Sequence, residues 1–253
     1  MRAFLRKEWM EVCRTGRLLI LLLIFTLLGI MNPAMAKLMP WLMEMSSASL
    51  ADAGLIITAV TVDAMTSWEQ FYKNIPIGLI IFILISSGSF TDEYQKGTLI
   101  PVVTKGLSRR KIVLAKALMI FALWTALYLL CIGITYGYNA YFWDNSIAHH
   151  PFFAAALAWL FGVWVIALLV VFSTVARNGT QVLLGVGGVV LGGYILSMFP
   201  KLSRFLPIKL MNGMSLLQGA DHPEDYYAGM AVVGLMVFLG MVLAAVFFDR
   251  KRL

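Results

Sequence analysis

The residues of this 253-residue chain best placed to do chemistry lie between Asp92 and Lys116. The stretch opens on Asp92 and Glu93, passes through Lys96-Gly97-Thr98-Leu99 and Gly106, and closes on Ser108-Arg109-Arg110-Lys111, with Lys116 beyond. Acids near the start of a helix and cations near its end suit the helix macrodipole. No nucleophile stands beside a base here. Two signs of charge on a compact segment suit docking against another protein, and a plain connector between helices would need only a few residues.

Other catalytic patterns are missing. No Gly-x-x-x-x-Gly-Lys-Ser/Thr loop is present, so the chain does not hydrolyse ATP by that route. There is no His-Glu-x-x-His pair and no nucleophile elbow. Ser87-Gly88-Ser89 has no His or Lys at similar depth and reads as helix packing. His149, His150 and His222 fall in loops and do not make the three or four ligands of a metal site. Cys13 and Cys131 should lie at different levels of a bilayer, so no disulfide is expected. The chain is expected to be no enzyme and to bind no cofactor of its own.

The elements that position these residues are apolar. Hydrophobic residues make up 60% of the chain and charged residues 13%, against about 25% charged in soluble domains. Apolar runs cover residues 18–36, 75–90, 112–136, 152–176, 182–198 and 227–248. At ~1.5 Å per residue, five of the six can cross a hydrocarbon core of ~30 Å. Alternating the sides places fifteen cations inside: Arg2, Arg6, Lys7, Arg14, Arg17, Lys96, Lys105, Arg109, Arg110, Lys111, Lys116, Arg177, Arg250, Lys251 and Arg252. Only Lys37, Lys73, Lys201, Arg204 and Lys209 fall outside. The positive-inside rule then predicts an all-α protein of six transmembrane helices, with N and C termini cytoplasmic and one membrane domain over residues 1–253. The net charge of +7 is accounted for by insertion and anionic headgroups, so membrane lipid and no nucleic acid is expected. The apolar run from Leu18 is too long for a cleavable signal core. No Asp, Glu or His lies in the middle of a run, which disfavours ion-coupled transport.

Between the spans, residues 1–17 read as an amphipathic helix, with Phe4, Leu5, Trp9, Val12 and Cys13 on one side and arginines on the other. Residues 37–74 are the largest outside connection. There Leu50, Gly54, Ile57, Thr61, Ala64, Trp68 and Phe71 follow a helical period, which predicts a helix along the membrane surface. The second and fifth spans are rich in small residues that allow close helix packing, within one subunit or against a second copy. Residues 200–226 combine Pro200, Pro207, Gly213, Gly219 and Pro223 with many apolar side chains, which predicts short helices re-entering the outer leaflet.

With Glu93…Gly97-Thr98-Leu99…Ser108-Arg109…Lys116, the six-span layout, the basic N-terminal helix and the broken segment before the last span, the chain resembles the permease subunits of ABC type-2 exporters. The resemblance implies a bacterial cytoplasmic-membrane protein in which residues 1–17 are the elbow helix and 91–112 the coupling loop. It implies two cytoplasmic ABC ATPase subunits as partners, which bind ATP and Mg, and a second permease copy or close relative. Glu93, Gly97, Thr98, Arg109 and Lys116 then belong to the coupling loop, and Arg177 to a second, smaller contact. The family carries a Pro where this chain has Gly106. The cargo expected is an amphipathic peptide or hydrophobic compound, with Phe82, Trp124, Tyr128, Trp164 and Phe172 as candidate contacts along the path. An ion-coupled transporter, or a membrane channel or scaffold without an ATPase, is the alternative.

Overall fold

A computed structural model describes residues 2–52, 62–104 and 106–251, and all regular structure among them is helical. The α-helices are α1 (Arg2–Arg14), α2 (Arg17–Asp52), α3 (Ala64–Ser86), α4 (Gly88–Gln95), α5 (Ile100–Thr104), α6 (Arg109–Phe142), α7 (Pro151–Val175), α8 (Gly179–Ser197), α9 (Pro200–Ser203), α10 (Gly213–Leu217) and α11 (Glu224–Arg250). Among the described residues, six segments are long and apolar enough to span a membrane: Arg17–Met45 of α2, Ala64–Gln95 (α3 with α4), α6, α7, α8 and α11.

The connection over 37–74 departs from the expected surface helix. α2 runs on past Ala36 to Asp52, and α3 already starts at Ala64, capped by Asp63, whose carboxylate accepts from the Thr66 N–H at 3.1 Å. Both are continuations of spans. Pro33 and Pro40 stay inside α2 and Pro76 inside α3, as happens in membrane helices when neighbours re-satisfy the freed carbonyls. Gly54, Ile57 and Thr61 lie outside the described residues.

α2, α3 and α6 pack as one group, and α7 sits against α6, α8 and α11. A buried polar ladder pins the first group. Asn74 Nδ2 donates to Asn32 Oδ1 (2.8 Å), Asn32 Nδ2 to Thr135 Oγ1 (3.0 Å), and the Thr135 hydroxyl to Gly29 O (3.1 Å). Each such bond is worth about 0.6–2 kcal/mol in a bilayer. Below the ladder the rings of Phe25 and Phe82 meet Trp124 edge-on, and Trp124 lies 5.6 Å from Tyr128. Gly162 on α7 admits the Trp124 indole; a Cβ there would overlap it.

The stretch 200–226 forms α9, a 3-10 turn (Pro207–Met211) and α10. Ile208, Leu210, Leu216 and Leu217 are buried, seated on α7, α8 and α11. His149 N–H donates to Leu217 O (2.9 Å), and the Tyr226 hydroxyl donates to Asp221 (2.7 Å).

Candidate functional site

The spacing Glu93-x-x-x-Gly97-Thr98 is the ending of α4. Gly97 takes φ +65°, its N–H donates to Tyr94 O (3.2 Å), and Thr98 N–H donates to Glu93 O (3.1 Å). These are the two bonds of a Schellman cap, which needs a left-handed residue where Gly97 stands. Leu99, 1% exposed, supplies the apolar contact that anchors the turn. α5 follows with Ile100 and Pro101 exposed, and Gly106 at φ +89° releases the chain toward α6. The pair of left-handed glycines thus brackets α5.

Glu93 and Lys116 face inward. They are 5% and 1% exposed. Lys116 Nζ stands 3.0 Å from Glu93 Oε2 and 2.9 Å from Glu8 Oε2, and donates to Ser89 O (2.9 Å). Lys7 Nζ pairs with Glu93 Oε1, with Glu8 Oε1 (3.1 Å) and with Glu11 Oε2 (3.0 Å). Lys116 also lies over the rings of Phe90 and Phe4, at 5.5 and 6.0 Å. Three acids and two lysines therefore join α1, α4 and α6. Burial alone would lower the Lys7 pKa, but the Glu93 hydrogen bond and the Glu8 and Glu11 carboxylates outweigh it and hold it above the ordinary lysine value. Burial likewise pushes Glu11 up, and the Lys7 ammonium brings it below the usual carboxylate value. The Arg17–Asp92 pair (3.2 Å) adds a tie at the foot of α2.

Of the apolar side expected for α1, Phe4 is buried beside Glu8 and Leu5 and Val12 are half-buried, while Trp9 (49% exposed) and Cys13 lie on the outer surface. The helix ends at Arg14, and Gly16 (φ +72°) turns the chain into α2, so the elbow closes just short of the expected residue 17.

Arg109 binds the end of α11. Its guanidinium donates to Phe248 O and Asp249 O (both 3.3 Å) and to Lys251 O, and Arg110 Nε donates to Asp249 Oδ2 (2.6 Å). A cation against the last carbonyls of a helix completes its dipole. Lys251 Nζ in turn donates to Ala176 O (2.7 Å) and lies 3.9 Å from the Tyr94 ring centre, and burial lowers its pKa to about 8. Arg177 is exposed. Its carbonyl accepts from Gln95 Nε2 (3.3 Å), and its N–H donates to Gln181 Oε1 (2.9 Å) beside the Asn178 cap of α8. α1, α4, the start of α6, the 177 turn and the end of α11 thus meet at one end of the bundle.

The chain belongs to the ABC-2 family of transporter proteins, which it matches over residues 2–240. It is also similar to the uncharacterized transmembrane protein YxlG of Bacillus subtilis (strain 168), with 24% identity over 258 residues, covering 99% of this chain and 97% of that one. Members of this family are the membrane component of ABC transporters, working with a separate ABC ATPase, and the six spans make this chain a multi-pass protein of the cytoplasmic membrane.

The aromatic residues expected along a path are not gathered on an open face. Phe82, Trp124, Tyr128 and Trp164 are at most 2% exposed, locked among the helices of one chain, and Phe172 packs on Gly185 of α8. Tyr128 lines a cleft of about 410 Å³ between α3, α6 and α7. A second cleft of about 390 Å³ lies between α3, α7 and α8, lined by Leu79, Ile83, Phe161, Val186, Gly187 and Tyr194 among others. Glu8 was not among the sequence candidates. Its signal was an acid within a basic amphipathic helix, one turn after Phe4.

Proposed function

We propose that this chain is the permease of an ABC exporter that moves an amphipathic peptide or hydrophobic compound out of the cell, powered by two copies of a separate ATPase. The observation that carries the reading is the way α5 is mounted. The helix offers exposed Ile100 and Pro101 outward, while α4, immediately before it, is bound to α1 and α6 through Glu93 and to the 177 turn through Gln95. A push on α5 from a cytoplasmic partner reaches the elbow, the third span and the fourth-to-fifth span turn together. Such rigid coupling suits a tilt of whole helices between inward- and outward-facing states. Glu93 and Lys116 act in this scheme as internal ties; Thr98, Ile100 and Arg177 are the exposed contacts.

A second permease copy, or a close relative, faces α8. That span is the least covered of the six, with Leu184, Leu191 and Ile195 exposed and Gly187, Gly188 and Gly192 open to space. The cargo path lies there, along the α3–α7–α8 cleft, where apolar area (~25 cal/mol per Å² buried) supplies the binding energy. The test is reconstitution of the permease with its ATPase in proteoliposomes. ATP-dependent movement of a fluorescent amphipathic peptide or hydrophobic dye is expected; transport that ran without ATP, or of sodium or protons only, would end this reading.

A further inference from the structure

The charges at the end of the bundle that carries α5 do not balance. Every acid there is already matched within the chain: Asp92 by Arg17 (3.2 Å), Glu93 and Glu8 by Lys116 (3.0 and 2.9 Å), Glu11 by Lys7 (3.0 Å) and Asp249 by Arg110 (2.6 Å). Arg109 is engaged by the last carbonyls of α11, and Lys251 by Ala176 O. Lys96, Lys111 and Arg177 remain exposed, and among the described residues their side chains have no ion pair or hydrogen bond. Arg6 and Arg14 on α1 and Arg250 on α11 are unmatched as well, so the surplus is of one sign. Lys96, Lys111 and Arg177 stand around α5 with its exposed Ile100 and Pro101. Lys96 closes α4 just before α5, and Arg177 lies against that same end, its carbonyl 3.3 Å from Gln95 Nε2. Lys111 sits in the first turn of α6, after the short loop that follows α5. That turn holds no acid and the Ser108 hydroxyl makes no cap bond, so the positive end of the helix adds to Lys111.

We infer that the surface of the ATPase that receives α5 is an apolar slot rimmed by carboxylates, placed against Lys96 and Arg177 on one side and Lys111 on the other. The inference rests on α5 being the docking helix of the proposed permease and adds the chemistry of what docks on it. A partner that covers Ile100 and Pro101 takes water from the cations beside them. Left without counter-charges they would weaken the complex; carboxylates set against them offset that loss and steer the encounter. No acid of this end is free to serve instead, because releasing any of them breaks a pair that ties α1, α2, α4, α6 or α11 in place. Anionic headgroups are the other source of negative charge. α5 belongs to none of the six spans, and Lys96 and Arg177 meet beside it where the end of α4 touches the 177 turn, which favours the protein partner.

The test holds the full chain in nanodiscs of phosphatidylcholine and measures association of its ATPase at about 0.1 M and 1 M salt, where the screening length shortens from ~10 to ~3 Å. The association rate of the wild type should fall at least about tenfold between the two. The triple variant Lys96→Gln, Lys111→Gln, Arg177→Gln should associate at the slow rate at both salts, with an unchanged Tm, since all three side chains are exposed. Lys96→Glu should be slower still than Lys96→Gln, because it sets an acid against an acid. Equal rates for the wild type and the triple variant at low salt, with the ATPase bound by both, would overturn the carboxylate rim and leave the docking of α5 standing. Rates that differed only in discs containing phosphatidylglycerol would assign the cations to headgroups and overturn it too. A wild type that bound no ATPase under any of these conditions would end the proposed function and this inference together.

Discussion

Lys116 Nζ lies 2.9 Å from the Glu8 carboxylate, a contact across 108 residues of sequence between two buried side chains. The same ammonium holds Glu93. The elbow helix, the end of the second span and the start of the third are one electrostatic unit.

Lys116→Met should therefore cost on the order of 3 kcal/mol, because it strands buried carboxylates. Thermal unfolding in detergent and tryptic cleavage within α1 report it. Lys116→Met combined with Glu8→Gln should recover part of the loss. A Tm unmoved by Lys116→Met would show that the cluster does not hold the elbow.

The pH response of the elbow follows from two groups. Glu11 titrates below its ordinary 4.5 in the folded protein, so its contribution is full above 4.5 and fades as pH falls through the lower folded value. Lys7 titrates above 10.5, so its contribution is full below 10.5 and is lost only as pH rises beyond that. Protection of α1 from protease should be flat across neutral pH and drop at the acid end. Lys251 has the opposite sign. Its folded value is about 8 against 10.5, so the unfolded chain binds more protons in that window and docking of the C-terminal end should tighten as pH climbs through it. Loosening of that end over the same window would contradict the burial of its ammonium.

Gly162→Ala drives a methyl into the Trp124 indole and should destabilise the chain by about 1–3 kcal/mol through overpacking. Gly187→Ala meets open space and should be neutral or mildly stabilising in the isolated chain, given the better helix propensity of Ala. Comparing the two Tm shifts checks the packing of α6 against α7.

Ile100→Glu places a charge on the exposed face of α5 and should abolish co-purification of the ATPase while leaving the folding stability within about 0.5 kcal/mol of wild type, as for other surface changes. Glu93→Gln should keep the ATPase bound but lower transport and cargo-stimulated ATP hydrolysis together. Loss of cargo binding with stimulation intact would place the loop in the cargo site instead.

The spans were legible because hydrocarbon demands long apolar runs, whereas Gly97 was singled out only through the family resemblance; its place is a left-handed helix ending, which selects glycine. The length of α2 was not legible, since the apolar run stops at Ala36, before Lys37, while the helix carries on through Lys37 and Pro40 to Asp52. The direction of the aromatic residues was also hidden. The direction of side chains on a helix apolar on all sides, such as α7, is hidden because no stripe says which face turns inward, and Trp164 there is buried. Glu8 escaped because α1 was read for its apolar stripe, whereas its buried side is half ionic.

The ladder of Asn74, Asn32 and Thr135 has a consequence for how the protein is made. Asn32 can give its carbonyl to Asn74 once the second span has left the ribosome, but its amide finds Thr135 only when the third arrives. Until then the first two spans carry an unmatched donor that lipid cannot satisfy. The order of synthesis is thus the order in which these polar groups are matched, and the first three spans should leave the insertion machinery together and not one at a time.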